Sequence, residues 1–255
     1  IGVAAARSFH QENVRLSNDC NVGAMGQENE RHHAELVSAQ SAYDAWAEHY
    51  DEEDPSTLLD QPFLLSTLRP FKGCRILDLG CGTGRYLRLV SEGSYVVGVD
   101  LSRGMLIRAR RQSSGLAATW VQASVECVPF LSHSFDRVMS GLVLDHVHDV
   151  RRFFRGIADL LKPGGRAIVT AVHPDMQRRT GPTVRFTADG REYRTQGTIH
   201  ENHDILTAVR QAGLSIEQIQ EPRVNEQLVA RREAWKDRLD CPALLLLALT
   251  QTTAS

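Results

Sequence analysis

The chain has no cysteine pair at Cys-x-x-Cys spacing, no long lysine or arginine run, and no apolar stretch approaching the ~20 residues of a membrane span. Each absence excludes a class. The five cysteines (Cys20, Cys74, Cys81, Cys127 and Cys241) are odd in number and unpaired in spacing. They point to free thiols in a reducing compartment, with neither a disulfide framework nor a structural zinc. A formal net charge of −2 argues against a general nucleic-acid or membrane binder. The basic cluster Arg108-Ala-Arg-Arg111 reads as one solvated helix face, and the apolar run Ala243–Leu249 as a buried strand. The N-terminal residues lack an apolar signal segment, so a cytoplasmic protein is expected. The chain opens on Ile1 with no methionine, which leaves its native start open. Internal repeats and low-complexity segments are also missing.

What is present is 255 residues, 42% hydrophobic and 24% charged, which can bury a sizeable core. Residues 1–33 are polar and without periodicity, and read as a flexible arm. From Ala34, the residues Leu36, Val37, Ala39, Tyr43, Ala45, Trp46, Ala47 and Tyr50 recur at helical spacing, ending near Asp51. A second helix is expected over Ser56 to Leu68, closed by Pro70. Strands and helices then alternate. Strands are expected at 75–79, 95–100, 118–123, 135–141 and 166–172, with helices at 85–92, 103–112 and 151–161. That pattern implies βαβ crossovers and a parallel sheet. In Thr183–Arg194, Asp189-Gly190 lies between alternating residues, which predicts a hairpin. A helix at 202–212, a strand at 214–219, a helix at 226–239 and a last strand at 242–250 follow.

The most specific stretch is Ile76-Leu-Asp-Leu-Gly-Cys-Gly-Thr-Gly-Arg-Tyr86. An apolar strand runs into Gly80-Cys81-Gly82-Thr83-Gly84 and then a helix start. Its spacing is G-x-G-x-G, whereas a dinucleotide pyrophosphate site uses G-x-G-x-x-G. Asp78, two residues before the first glycine, repels phosphate and pairs with an ammonium. The favoured ligand therefore carries an amino acid and a nucleoside but no pyrophosphate, a description that S-adenosyl-L-methionine meets. Asp100 lies at the end of the second strand, 22 residues after Asp78, at the position where a carboxylate binds a ribose diol.

The segment resembles motif I of the class I S-adenosylmethionine-dependent methyltransferases, and the resemblance extends over roughly Tyr43 to Thr250. In general type the chain resembles the ubiquinone-biosynthesis and secondary-metabolism enzymes. The resemblance implies an α/β fold with a Rossmann-like seven-stranded sheet, order 3-2-1-4-5-7-6. It also implies a division into a helical lid (34–70), a cofactor-binding core (71–173), a hairpin insertion over the acceptor pocket (174–200) and a C-terminal part of the same domain (201–255). Leu101 and Met105 are expected to flank the adenine. Ser124 stands where the family has an acid, so Val125 or Glu126 is a candidate for the adenine edge. The resemblance puts Ser140, Gly141 and Leu142 near the methionine part, and Tyr50, with Tyr43, over the cofactor.

If the acceptor is a hydroxyl, thiol or ammonium, a base must take its proton, and histidine is the first candidate. His146 and His148, after the fourth strand, have Asp145 and Asp149 nearby to orient them; His173 follows the fifth. His146, His173 and Asp145 are the candidate catalytic residues, and no metal is expected. Arg185, Arg191, Arg194 and Tyr193 of the hairpin are candidates for an acidic acceptor, and His200 and His203 for the same pocket. The expected activity is methyl transfer to O, N or S of a small molecule by a monomer or homodimer, with S-adenosyl-L-homocysteine as product. Carbon methylation and a non-catalytic, regulatory binding protein stay open. Nucleic-acid methylation is disfavoured, because Ser140-Gly-Leu-Val143 replaces an Asn-Pro-Pro-Tyr-like element.

Overall fold

A computed structural model describes residues 35–51, 56–188 and 190–252; the expected arm at 1–33 lies outside them. A two-residue strand β1 (Glu35–Leu36) precedes α1 (Ala39–Trp46) and α2 (Ser56–Leu68). The alternating part then runs β2 (Arg75–Leu79), α3 (Arg85–Val90), β3 (Tyr95–Asp100), α4 (Arg103–Gln112), β4 (Ala118–Gln122), β5 (Phe135–Gly141), α5 (Val150–Leu160) and β6 (Leu161–Val172). Then follow α6 (Pro174–Thr180), the hairpin β7 (Thr183–Ala188) and β8 (Arg191–Gln196), α7 (Asn202–Gln211), β9 (Leu214–Gln220), α8 (Glu226–Arg231) and β10 (Leu244–Gln251).

Seven strands form one sheet in the order β4-β3-β2-β5-β6-β10-β9, with β10 antiparallel to both neighbours. Numbered within the sheet, that is the expected 3-2-1-4-5-7-6. The crossovers reverse direction between β2 and β5, so the crevice beyond their carboxyl ends is where a ligand can enter. Side chains alternate across the sheet. Leu77, Leu79, Val97, Val99 and Val169 face α5 and α7, packing on Phe153, Phe154, Ile157 and Ile205. Ile76, Val96, Met139, Ile168 and Leu246 face α2 and α3, packing on Leu64, Leu68, Leu87 and Val90. Each large apolar side chain so buried contributes about 1.5–3 kcal/mol.

Three local expectations need correction. The helix expected from Ala34 starts at Ala39, because Glu35 and Leu36 pair in parallel with β8 and the Ser38 hydroxyl caps α1 by accepting from Ser41 N. The helix expected over 226–239 breaks at Arg232, whose extended backbone separates α8 from a 3-10 turn over Glu233–Arg238. The insertion at 174–200 is more than a hairpin, since it begins with α6 and its strands β7 and β8 join β1 in a three-stranded sheet. That sheet and α1 share a small core of their own. Trp46 stacks on Phe186 at 4.8 Å, Phe186 stacks on Tyr193 at 5.4 Å, and Ala42 and Ala188 fill the gaps. The N-terminal helix and the insertion, about 140 residues apart in sequence, are thus one packed unit.

Candidate functional site

The glycine turn after β2 sits at the point where the sheet reverses direction. Gly80 has φ +77°, and a Cβ there would lie 2.3 Å from a Val143 methyl, so only glycine fits. Gly84 has φ +75° at the N-cap of α3 and lies against the indole of Trp120. Asp100 braces the turn from the next strand. One carboxylate oxygen accepts from Gly82 N and the other from Ser102 N, both at 2.8 Å. Burial pushes its carboxyl above the ordinary range, and those backbone hydrogen bonds pull the other way.

Next to this turn lies a cavity of about 300 Å³. Of the expected cofactor contacts, Tyr50, Gly80, Gly82, Asp100, Leu101, Met105, Ser124, Val125, Glu126, Gly141 and Leu142 line it. Of the expected catalytic residues only His146 does. Leu142 carries a positive φ of 57°, a strained conformation of the kind that concentrates at functional sites. A wider groove of about 600 Å³ runs beside α5, but it is lined by arginines and carboxylates of that region and not by the glycine turn.

Seven expected site residues stand behind the wall. Alternation along β2 sends Asp78 into the α2–α3 layer with Ile76. There it is fully buried, and neither oxygen has a hydrogen-bond partner. Burial first, and the Asp100 charge second, push its carboxyl up to about 8. Cys81 is buried, its Sγ directed to the Gly82 carbonyl. Thr83 donates to Asp51 at 2.6 Å, Gly84 starts α3, and Ser140 donates to the Leu79 carbonyl at 2.8 Å. Asp145 lies beside His146, with Oδ2 at 3.8 Å from Nε2.

His173 does not line the cavity. It is the N-cap of α6, its Nδ1 accepting from Asp175 N at 3.1 Å, and only 4% of it is exposed. Its Nε2 faces Glu221, away from the cavity. Capping a helix that the sequence reading did not foresee is what occupies it. The hairpin arginines Arg185, Arg191 and Arg194 are absent from the cavity lining, as are His200, bonded to the Val147 carbonyl, and His203, exposed on α7.

The residues that sequence reasoning undervalued are on α1. Tyr43 reaches His146 across 103 positions, with Oη at 2.8 Å from Nε2. Asp44 accepts from the Ser102 hydroxyl at 2.6 Å and from Gly104 N at 2.7 Å, docking α1 on the start of α4. Since Ser102 N also donates to Asp100, the helix is linked to the glycine turn through Asp44, Ser102 and Asp100. The only sequence signal for this was an acid directly after an aromatic residue. Ser38, Ala39 and Gln40 complete this wall, and His148 joins the lining from the far side of His146.

These groups suit a ligand with a nucleoside and an ammonium. Asp100 lines the cavity and offers remaining lone pairs to a diol, whereas Asp78 is buried behind the wall and does not line it. Among the described residues no group of His, Cys, Asp and Glu could hold a metal, and no helix is long and apolar enough to cross a membrane.

Residues 77–169 match a family model described as "Methyltransferase domain". The chain is 30% identical over 149 residues to an uncharacterized methyltransferase of Mycobacterium tuberculosis, covering 54% of this chain and 76% of that one. It is 39% identical over 116 residues to the ubiquinone biosynthesis O-methyltransferase of Ruegeria pomeroyi, covering 43% of this chain and only 45% of that enzyme. Among solved structures, an S-adenosylmethionine-dependent methyltransferase from Mesorhizobium loti superposes with a TM-score of 0.62 at 26% identity, covering 77% of this chain and all of that one.

Proposed function

Because this chain belongs to the class I S-adenosylmethionine-dependent methyltransferases, we propose that it methylates an oxygen, nitrogen or sulfur atom of a small molecule held between α1 and the carboxyl ends of β4 and β5. When bound, S-adenosyl-L-methionine supplies a methyl group already activated by its sulfonium, so the protein's work is positioning, drying the site and moving a proton. Asp100 holds the ribose diol. Gly80 and Gly82 let the backbone approach the amino acid part. Leu101, Met105 and Val125 enclose the adenine, and Ser124 and Glu126 offer it polar contacts. Tyr50 and α1 cover the site as a lid, and the β7–β8 hairpin backs that lid. His146 takes the proton of the acceptor, with the Asp145 carboxylate facing the positive charge that forms.

One observation carries this reading. The donor-binding groups Gly80, Gly82 and Asp100 line the same cavity as the hydrogen-bonded pair Tyr43 and His146. The test is parallel calorimetric titration with S-adenosylmethionine, S-adenosylhomocysteine and NAD, then an acceptor screen read by mass shift. Binding of both adenosyl ligands but not NAD, with a methylated product on a heteroatom, is the expected result. Binding without turnover of any acceptor favours the non-catalytic alternative. A product methylated on carbon replaces the heteroatom assignment.

A further inference from the structure

Resting on that reading, we infer that Tyr43 is the group that meets the acceptor, and that the acceptor is an uncharged aromatic hydroxyl compound whose proton Tyr43 relays to His146. The geometry of the imidazole is the first reason. Its Nδ1 is sealed from solvent and makes no hydrogen bond. Its Nε2 is bonded to the Tyr43 hydroxyl at 2.8 Å. A ligand in the cavity therefore exchanges a proton with His146 only through the Tyr43 phenol. In the relay the acceptor O–H breaks as a new O–H forms on Tyr43, and the original Tyr43 proton passes to Nε2. The result is an oxyanion on the acceptor and an imidazolium at His146, with atoms and charge balanced. The carboxylate of Asp145, 3.8 Å from Nε2, faces that cation.

The lining supplies the acceptor's chemistry. Among the described residues that line the cavity there is no lysine or arginine, and the acids are Asp100 and Glu126. The protein wall thus gives an already anionic acceptor repulsion and no counter-charge of its own, leaving only the cofactor's sulfonium, which S-adenosylhomocysteine lacks. The lining around the pair includes aromatic and aliphatic side chains, with Tyr43 and Tyr50 edge to face at 6.0 Å and Leu142 and Val143 beside them in the same cavity. Such surfaces favour a flat apolar ring. The hairpin arginines, which could have favoured an acid, are absent from this lining.

The relay also ties chemistry to docking of α1. Tyr43 is held by its T-shaped contact with His146 and by its stack on Trp46, and the neighbouring Asp44 anchors the helix to α4. A helix lifted off the site would leave His146 without its link to the cavity.

The test uses 4-nitrophenol, whose phenolate absorbs in the visible, added to the full chain saturated with S-adenosylhomocysteine at a pH below the phenol's own pKa. Saturation is first checked by calorimetry; if S-adenosylhomocysteine does not bind, the cofactor reading fails and not this one. The wild type should bind the phenol and show the phenolate band. Tyr43→Phe keeps the ring contacts, so it should keep S-adenosylhomocysteine affinity and bind the phenol but lose the band. His146→Gln should lose the band as well. A carboxylated analogue, 5-hydroxy-2-nitrobenzoate, should bind at least tenfold more weakly than the neutral phenol. The relay is overturned by a neutral bound phenol in the wild type, or by a band that survives in Tyr43→Phe. The acceptor assignment is overturned if the phenol does not bind, or if the carboxylated analogue binds equally well.

Discussion

Replacing Asp78 with asparagine should make the ligand-free protein more stable at neutral pH, by an amount that grows with pH. The Asp78 side chain is fully buried with no hydrogen-bond partner, and its carboxyl is pushed from an ordinary 3.8 up to about 8. The folded protein therefore holds a proton that the unfolded chain releases. Between about pH 4 and pH 8 the unfolded state binds fewer protons, so this group lowers stability as pH rises, and below pH 4 it contributes no slope. At about 1.36 kcal/mol per pH unit, the interval from 3.8 to pH 7 amounts to roughly 4 kcal/mol. Asparagine has the same shape and does not titrate. Its amide has unmet hydrogen bonds of its own, but they add a constant that does not depend on pH. Urea unfolding of both proteins at pH steps from 4 to 8 measures the difference directly. The stability gap should widen steadily with pH, becoming roughly 4 kcal/mol larger at pH 7 than at pH 4, or on the order of 10 °C in Tm. Parallel curves would mean that Asp78 is ionised throughout, with a compensating cation close by, and would refute the argument.

Three further outcomes are expected. Asp100→Ala should weaken S-adenosylmethionine binding by about 1.5–3 kcal/mol, because it removes a charged acceptor; unchanged affinity by calorimetry would remove Asp100 from the ribose site. Asp44→Ala should speed amide exchange across Ala39–Trp46 and lower cofactor affinity by about 1 kcal/mol, leaving exchange in β2, β3 and β5 as it was; protection lost across the whole sheet would contradict a local latch. His146→Ala should abolish most turnover while retaining cofactor affinity, whereas His173→Ala should turn over normally and lose about 1–2 kcal/mol of stability through its missing helix cap. The reverse pattern would move the base to the start of α6.

The glycine spacing, the acid before it and the acid at the end of the next strand were readable from local sequence, because each follows from what a tight strand–turn–helix allows. The strand–helix alternation also identified six of the seven sheet strands by their periodicity, and the apolar run near the C-terminus marked the seventh. Their spatial order came from family resemblance, since periodicity says which residues share a face and nothing about which strands are neighbours. The same alternation held the information that Asp78 points away from the cavity with Ile76. It becomes visible only when the layer of α2 and α3 is known to lie on that side.

The histidines divide along the same line. His146 and His173 both follow a sheet strand, and nothing in their local sequence separates a base from a helix cap. Only the path of the chain after β6, into α6, occupies His173, and only the return of α1 brings Tyr43 onto His146. Likewise, β1 is two residues long, carries no strand signal of its own, and is a strand because β8 offers it an edge. The sequence by itself therefore determined the fold class and the cofactor and marked the glycine turn, all through short-range backbone geometry. The tertiary structure alone decided which side chains share the cavity, because contacts between residues 103 positions apart depend on chain packing that no local window contains.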